Sequence, residues 1–372
     1  MIFKRRPLVV SAPRIEVHNG CTRVTAFVNR RPLWFESDDI ELNPSPEAFA
    51  SALLLASQHR GQRLVIETAV DGTWKKGVAG VIAKWSEWWG YEPLLPLADT
   101  ARTPARTATN IRALSFSGGV DSFFSLLKAP KPDFLVTVHG FDIPLADMRR
   151  MARLERSLHE ASNLAGAQPI VIRTNLREHS ANGRPYLWER SHGGALAAIG
   201  HLLAPPIAAY FISSTHSFAP DRPWGSSPHT DHLFSSSGVK IVHFGSEPRE
   251  EKILGILSHP LVRRHLRVCW ENRKPEGNCS HCAKCLLVMI HLSEYGVLDE
   301  FDVFEGGTEI AQRLDALPFT TTHVAVMKRA VQRGRLAPDV AAATTRLIER
   351  SLAAKKWTKR RKRFSHWAAR YV

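Results

Sequence analysis

Residues 117–122 read Ser-Gly-Gly-Val-Asp-Ser, and residues 269–285 carry four cysteines spaced C-x9-C-x2-C-x2-C. The first pattern suits phosphate chemistry. Gly118 and Gly119 let the backbone approach an anion closely and adopt angles closed to other residues. A helix beginning there aims unpaired N–H groups and the positive end of its dipole at the same point. Ser117 and Ser122 add hydroxyl donors. Asp121 cannot attract phosphate; it suits capping the helix start and helping hold Mg2+ between phosphate oxygens. The second pattern suits a metal. Cys269, Cys279, Cys282 and Cys285 offer four thiolates, the donor set of a closed tetrahedral Zn2+ site. His281 is a spare ligand. An iron–sulfur cluster is the competing reading, although the Cys-Pro ending of ferredoxin-type runs is missing. Cys21 stands alone and reads as a small apolar residue.

Other glycine-rich motifs fit residues 113–127 less well. A Walker A loop needs Gly-Lys-Ser/Thr, a Rossmann turn needs G-x-G-x-x-G, and a nucleophile elbow needs Gly two residues before its serine. The stretch has no lysine, and Ser115 stands two residues before Ser117.

The elements around the motifs follow from periodicity. Strands are predicted at 111–116, 134–138, 169–173, 207–213 and 239–243. Helices are predicted at 121–128, 146–165, about 189–203, and 248–258. Near-continuous apolar strands alternating with amphipathic helices predict an α/β fold with a five-stranded parallel sheet covered on both faces. Residues 1–105 read as a small N-terminal α+β unit of strand-like runs, a hairpin at "NRR", a helix entered through Ser45-Pro46, and an aromatic helix at 77–90. A Pro/Thr/Ala-rich linker is expected at 95–110. The 106–300 segment would then be the nucleotide domain with the four-cysteine site, and 301–372 a helical, basic C-terminal extension.

Composition narrows the class. The chain has 372 residues, 44% hydrophobic, enough for a sizeable core. The longest apolar stretch falls well short of a membrane span, and the N-terminus lacks a signal-peptide core, so a soluble cytoplasmic protein is expected. Net charge is +15, and the last 20 residues hold eight Lys or Arg and no acid. That run reads either as a solvated end or as a phosphate-seeking tail for nucleic acid or an acidic partner. A homodimer is admitted, since the sequence leaves oligomeric state open.

The S-G-G-x-D-S loop resembles the PP-loop of the N-type ATP pyrophosphatases. Together with the late four-cysteine run, it is similar to the 7-cyano-7-deazaguanine synthase family over about residues 111–295. The resemblance implies cleavage of ATP between its α and β phosphates, adenylation of a carboxylate, and attack by ammonia or an amine. It assigns Ser117, Gly118, Gly119, Asp121 and Ser122 to ATP. Lys252, aided by Arg249, would neutralise the leaving pyrophosphate. The loop 139–144, with His139 and Asp142, would lie near adenine and ribose.

Three segments depart from that family: "HGFDIP" after the second strand, "WERSHGGALAAIG" before the fourth, and "STHSFAPDRPWGSSPHTDHLF" after it. All three flank the deazapurine pocket. The resemblance therefore extends to ATP and the metal rather than to one acceptor, which could be a small molecule or a macromolecule bearing a carboxylate. In the last loop Thr215 and His216 should reach the sheet edge. Trp224 could stack on a planar substrate, and His229 or Asp231 could move a proton or bind polar groups. The H-T-D-H run weakly suggests a second metal. "SHGG" (191–194) reads as a helix start before a catalytic histidine. Two rivals stand beside the ligase: a tRNA-thiolating PP-loop enzyme, favoured by the basic tail and an iron–sulfur reading, and a non-catalytic scaffold keeping the nucleotide fold.

Overall fold

A computed structural model of the chain describes residues 5–101, 110–179, 186–217, 221–274, 277–306, 309–320 and 323–368. The chain divides into two compact units, Met1–Ser117 with Asp121–Glu247, and Gly118–Val120 with Pro248–Val372. The boundaries expected near 105 and 300 are therefore not where the contacts divide. The N-terminal residues share a unit with the predicted sheet, and the four cysteines group with the C-terminal helices.

The first unit opens with β1 (Leu8–Val10), β2 (Arg14–His18), β3 (Cys21–Val28) and β4 (Arg31–Ser37). Asn29 and Arg30, both at positive φ, turn β3 into β4 as the two-residue hairpin expected at "NRR". Helix α1 (Pro46–His59) starts as predicted, with Ser45 capping the Ala48 amide and Pro46 in the first turn. Then come β5 (Leu64–Ile66), β6 (Val70–Asp71), α2 (Gly72–Trp89) and β7 (Thr100–Ala101). Asp71 caps α2 through the Thr73 and Trp74 amides. The first part of the expected linker is packed chain: Leu94 and Leu97 bond Gln58 and Leu64, and β7 pairs with β6. The linker's 102–109 part lies outside the described residues.

The alternating segment follows as β8 (Arg112–Ser115), α3 (Val120–Lys128), β9 (Phe134–His139), α4 (Met148–Ala165), β10 (Gln168–Thr174), α5 (Trp188–Leu203), β11 (Ala209–Ser213) and β12 (Lys240–Phe244). Every strand predicted between 111 and 243 is present. The sheet is α/β and largely parallel, but it is ten-stranded and mixed, with the order β12-β11-β8-β9-β10-β4-β3-β1-β5 and β2 beside β3. Five consecutive strands, β12 to β10, are mutually parallel. The five-stranded expectation fails because β10 is not an edge: β4 pairs antiparallel to it, with Thr174 level with Phe35.

Side chains fix that junction. Arg173 bonds Glu36 (2.7 Å) and Asp38 (2.7 and 3.0 Å). Thr174 donates to the Trp34 carbonyl, and Asn175 takes the Trp34 amide. The Asp38 pair holds the Arg173 guanidinium well above its usual range, so its charge is permanent. Above one face of the sheet, α1, α2 and α5 share a single apolar core with strands from both halves, from Leu8 and Phe35 to Tyr210 and Ile241.

The second unit is helical: α6 (Arg249–Leu254), α7 (Pro260–His265), α8 (Ala283–Glu294), α9 (Ile310–Ala316), α10 (Val324–Gln332) and α11 (Pro338–Ala368). The basic run continues α11 as helix to Ala368. Glu294 of α8 is buried but bonds Arg333, the residue that follows α10, twice (2.7 Å each) and His291 at 2.7 Å. Burial opposes its charge; those partners outweigh it and hold the carboxyl below its usual range. Among the described residues no helix is long and apolar enough to cross a membrane.

Candidate active site and metal centre

The parallel strands reverse direction of growth between β8 and β11. From β8 the chain builds β9 and β10 to one side, then returns to add β11 and β12 on the other. Loops at the carboxyl ends of two such strands diverge and leave a crevice, where open α/β sheets bind ligands. The Ser117–Ser122 turn leaves β8 at this point. Its entry is pinned to β9, with Phe116 N bonded to Val136 O and Thr137 Oγ1 to Phe116 O, both 2.7 Å. Gly118 has φ +70°, an angle that glycine adopts without strain. Val120 opens α3, so Asp121 and Ser122 lie in its first turn, and Ser117 Oγ approaches Ser122 Oγ at 3.5 Å. Strand, glycine turn and helix thus follow one another as the sequence implied.

The loop after β9 returns on itself through His139. The imidazole is buried, and its Nε2 lies 2.9 Å from the Pro144 carbonyl, which can only accept. His139 therefore closes the 140–144 loop with that nitrogen, while Asp142 is exposed. Lys252, on α6 of the second unit, is fully buried, and Arg249 begins that helix.

A chain of rings crosses the carboxyl ends of the first unit's strands. Phe141 meets Trp188 (4.9 Å between centroids), Trp188 meets His192 (5.9 Å), His192 meets Trp224 (5.7 Å), and Trp224 meets His216 (5.0 Å). Arg222 covers Trp224 at 5.7 Å, and Arg177 covers Trp188 at 5.0 Å. His216 and Thr215 follow β11, whose exit is held by a Ser214 Oγ bond to the His216 carbonyl (2.7 Å). His216 and Trp224 are in ring contact, Thr215 precedes His216 in the chain, and all three are partly buried.

"SHGG" lies inside α5, and its glycines serve packing. A Cβ on Gly193 would stand 2.3 Å from the Gly225 carbonyl oxygen and 2.7 Å from Asp231 Oδ1. The 224–231 loop can sit directly on α5 only because that atom is missing. Replacing Gly193 with Ala should cost about 3 kcal/mol through backbone displacement. Thermal unfolding would show a drop of several degrees; an unchanged midpoint would contradict this packing. His192 bonds the Trp188 carbonyl through Nδ1 (3.0 Å), and burial holds its pKa below the usual value, so it is neutral at pH 7.

The structure separates His229 from Asp231. His229 is exposed, edge-on to Trp88, with Asp221 at 3.7 Å. Asp231 is fully buried and accepts from Ser226 Oγ (2.5 Å), Ser227 N (3.1 Å) and His243 Nδ1 (2.7 Å). His243, the penultimate residue of β12, is the site residue that sequence reasoning missed. It ends the strand-like run "VKIVH", where nothing in the local pattern marks it.

The four cysteines converge. Their sulfurs all lie within 4.8 Å of one another, with Cys279 and Cys285 3.9 Å apart, and none is in a disulfide. Tetrahedral Zn–S bonds of about 2.3 Å put sulfurs about 3.8 Å apart. Cys282 caps α8, and its sulfur takes the Cys285 amide, while Cys279 takes the Cys282 amide. Asn278, also missed in the sequence, joins the two cysteine segments. Its Oδ1 accepts from Val268 N and Cys269 N, and its Nδ2 donates to Leu266 O and Val303 O. The Cys269 sulfur beside Cys282 pushes that thiol up to about 12, and the same neighbour raises Cys285. Four buried sulfurs cannot all ionise without a cation; a divalent ion removes the penalty. The cluster can therefore hold a metal such as zinc. His281 turns Nδ1 to the Cys279 carbonyl (2.5 Å) and stays outside the tetrad. Among the described residues this is the one group of at least three such side chains close enough to share an ion, so the H-T-D-H run gains no support.

Comparison with protein-family models, with characterised proteins and with solved structures finds no match.

Proposed function

We propose that the protein is an ATP-dependent, AMP-forming carbon–nitrogen ligase of the PP-loop type, similar to 7-cyano-7-deazaguanine synthase. One observation carries this reading. The S-G-G-V-D-S turn leaves a central parallel strand beside the reversal of strand order and runs into a helix start, with Gly118 at positive φ. That is where backbone N–H groups can meet a triphosphate. Ser117, Gly118, Gly119 and Ser122 bind phosphate oxygens, and Asp121 holds the Mg2+ that accompanies ATP. The resemblance to that family assigns Lys252 to stabilising the departing pyrophosphate. The acceptor carboxylate lies against the ring chain of Trp224, His216 and His192, which favours a planar acid.

Zinc in the cysteine cluster holds structure, because all four donors are protein sulfurs and no position is left open to substrate. The basic half of α11 would raise the encounter rate with a polyanionic acceptor. The test is product analysis on purified protein with ATP, ammonium and a panel of heteroaromatic acids that includes 7-carboxy-7-deazaguanine. AMP and pyrophosphate with one zinc per chain are expected. ADP and phosphate would refute the reading, and iron with RNA-dependent AMP release would replace it with thiolation.

A further inference from the structure

We infer that the cleft over β1 is a second nucleotide site, with a base stacked on Phe27 and its phosphate held by Arg6 and Arg30. It does not depend on the ligase reading. Ser117 follows β8, five strand spacings from β1 across the sheet, about 24 Å at ordinary spacing. The cleft has a volume of about 830 Å3, within the range of small-molecule sites.

Its floor is set by strand alternation. Val24, Ala26 and Val28 of β3 enter the core, which turns Phe27 to the opposite face, where it is 44% exposed. Val9 of β1 lines the cleft with it. Ser11 N bonds the Phe27 carbonyl (3.0 Å), and Phe27 N bonds Ser11 Oγ (2.9 Å), so the backbone under the ring is fixed. An aromatic ring exposed on a sheet face is a platform for bases, since every base has a π-face.

Charge surrounds that platform. Asn29 N bonds Val9 O, and Asn29 Oδ1 accepts from Val9 N, both 3.0 Å. These bonds pin the β3–β4 turn to β1 and bring Arg30 and Arg6 into the lining of one cleft. With its oxygen so used, the Asn29 amide offers its amino group as a donor. Arg6 and Arg30 are both exposed, as are Arg5, Arg31 and Arg63 next to the lining in the chain. Glu67 also lines the cleft and is exposed; a carboxylate there can accept from the amino group of a base. Arg30 itself is out of pattern. The second position of a two-residue hairpin turn takes positive φ, which glycine adopts without strain, yet Arg30 stands there at +69°. A charged side chain at a strained position points to a use for that side chain.

The unit recognised is the same whether the nucleotide is free or part of a single strand, and the experiment separates the two. Fluorescence anisotropy of a labelled oligo-uridine of about 12 nucleotides is measured on the full chain, with uridine and guanosine monophosphates as competitors. Phe27→Ala should weaken binding about 10-fold. Arg6→Ala combined with Arg30→Gly should weaken it at least as much and lower the slope of log affinity against log salt by about two. Arg30→Gly should keep or raise the melting temperature, so a loss of affinity in it is not a loss of folding. Competition by the monophosphates supports the site as one for free nucleotides. Tight binding of the oligonucleotide that monophosphates do not displace supports it as one for a strand. Equal oligonucleotide affinity in the wild type and all variants would place polyanion binding elsewhere and overturn the site. Binding of neither probe would also overturn it, as would displacement by inorganic phosphate with Phe27→Ala unchanged, which describes an anion patch alone.

Discussion

Stripping the metal from the four-cysteine cluster should unfold the helical unit around it. A structural zinc contributes on the order of 10 kcal/mol, comparable with the whole stability of a domain. The cluster has little to replace it. Cys269, Cys279, Cys282 and Cys285 sit at the junction of α7, the Asn278 loop and α8, and their burial leaves the raised thiols of Cys282 and Cys285 without a compensating charge. A chelator strong enough to remove the ion should lower the far-ultraviolet helical signal and expose all four thiols to a colorimetric reagent. Cys282→Ala should do the same without chelator, because it removes both a ligand and the α8 cap. Retention of full helicity and of protected thiols after verified metal loss would show that the cluster is packing alone.

The second large effect is at Asp121. Its replacement by Asn should reduce AMP release about 1000-fold, roughly 4 kcal/mol of lost transition-state stabilisation. The asparagine oxygen can still accept a hydrogen bond at the start of α3, so the melting temperature should stay within about 1 °C of wild type. On the proposed ligase reading, what is lost is the charge that would hold Mg2+ against the phosphates. A variant with normal AMP release would remove the Ser117–Ser122 turn from the chemistry. A variant that loses activity together with folding would leave Asp121 a structural role, and comparing the melting curves decides between them.

Local signals determined much of this protein. Five parallel strands and their helices were legible because each apolar run of four to seven residues, bounded by turn residues, carries its own period. The Ser45-Pro46 helix start and the Asn29-Arg30 hairpin were legible because caps and tight turns depend on neighbours in the chain. The convergence of the cysteines was also readable, since two-residue spacings constrain three of the four ligands locally.

Long-range pairing was not readable. Nothing near β10 announces that Arg173 will reach Glu36 and Asp38, and that cross-strand contact turns a five-stranded sheet into a ten-stranded one. An exposed edge can take any strand of matching pattern, so the choice of β4 depends on side-chain complementarity between segments far apart in the chain. The same holds for Asp231 and His243. They are brought together by a loop that rests on Gly193, a residue whose meaning is the Cβ it lacks. Sequence determined which segments become strands, where the Ser117–Ser122 glycine turn lies and which sulfurs can meet. Tertiary structure decided which of the histidines is held by a buried carboxylate, because burial and orientation arise only when distant segments pack.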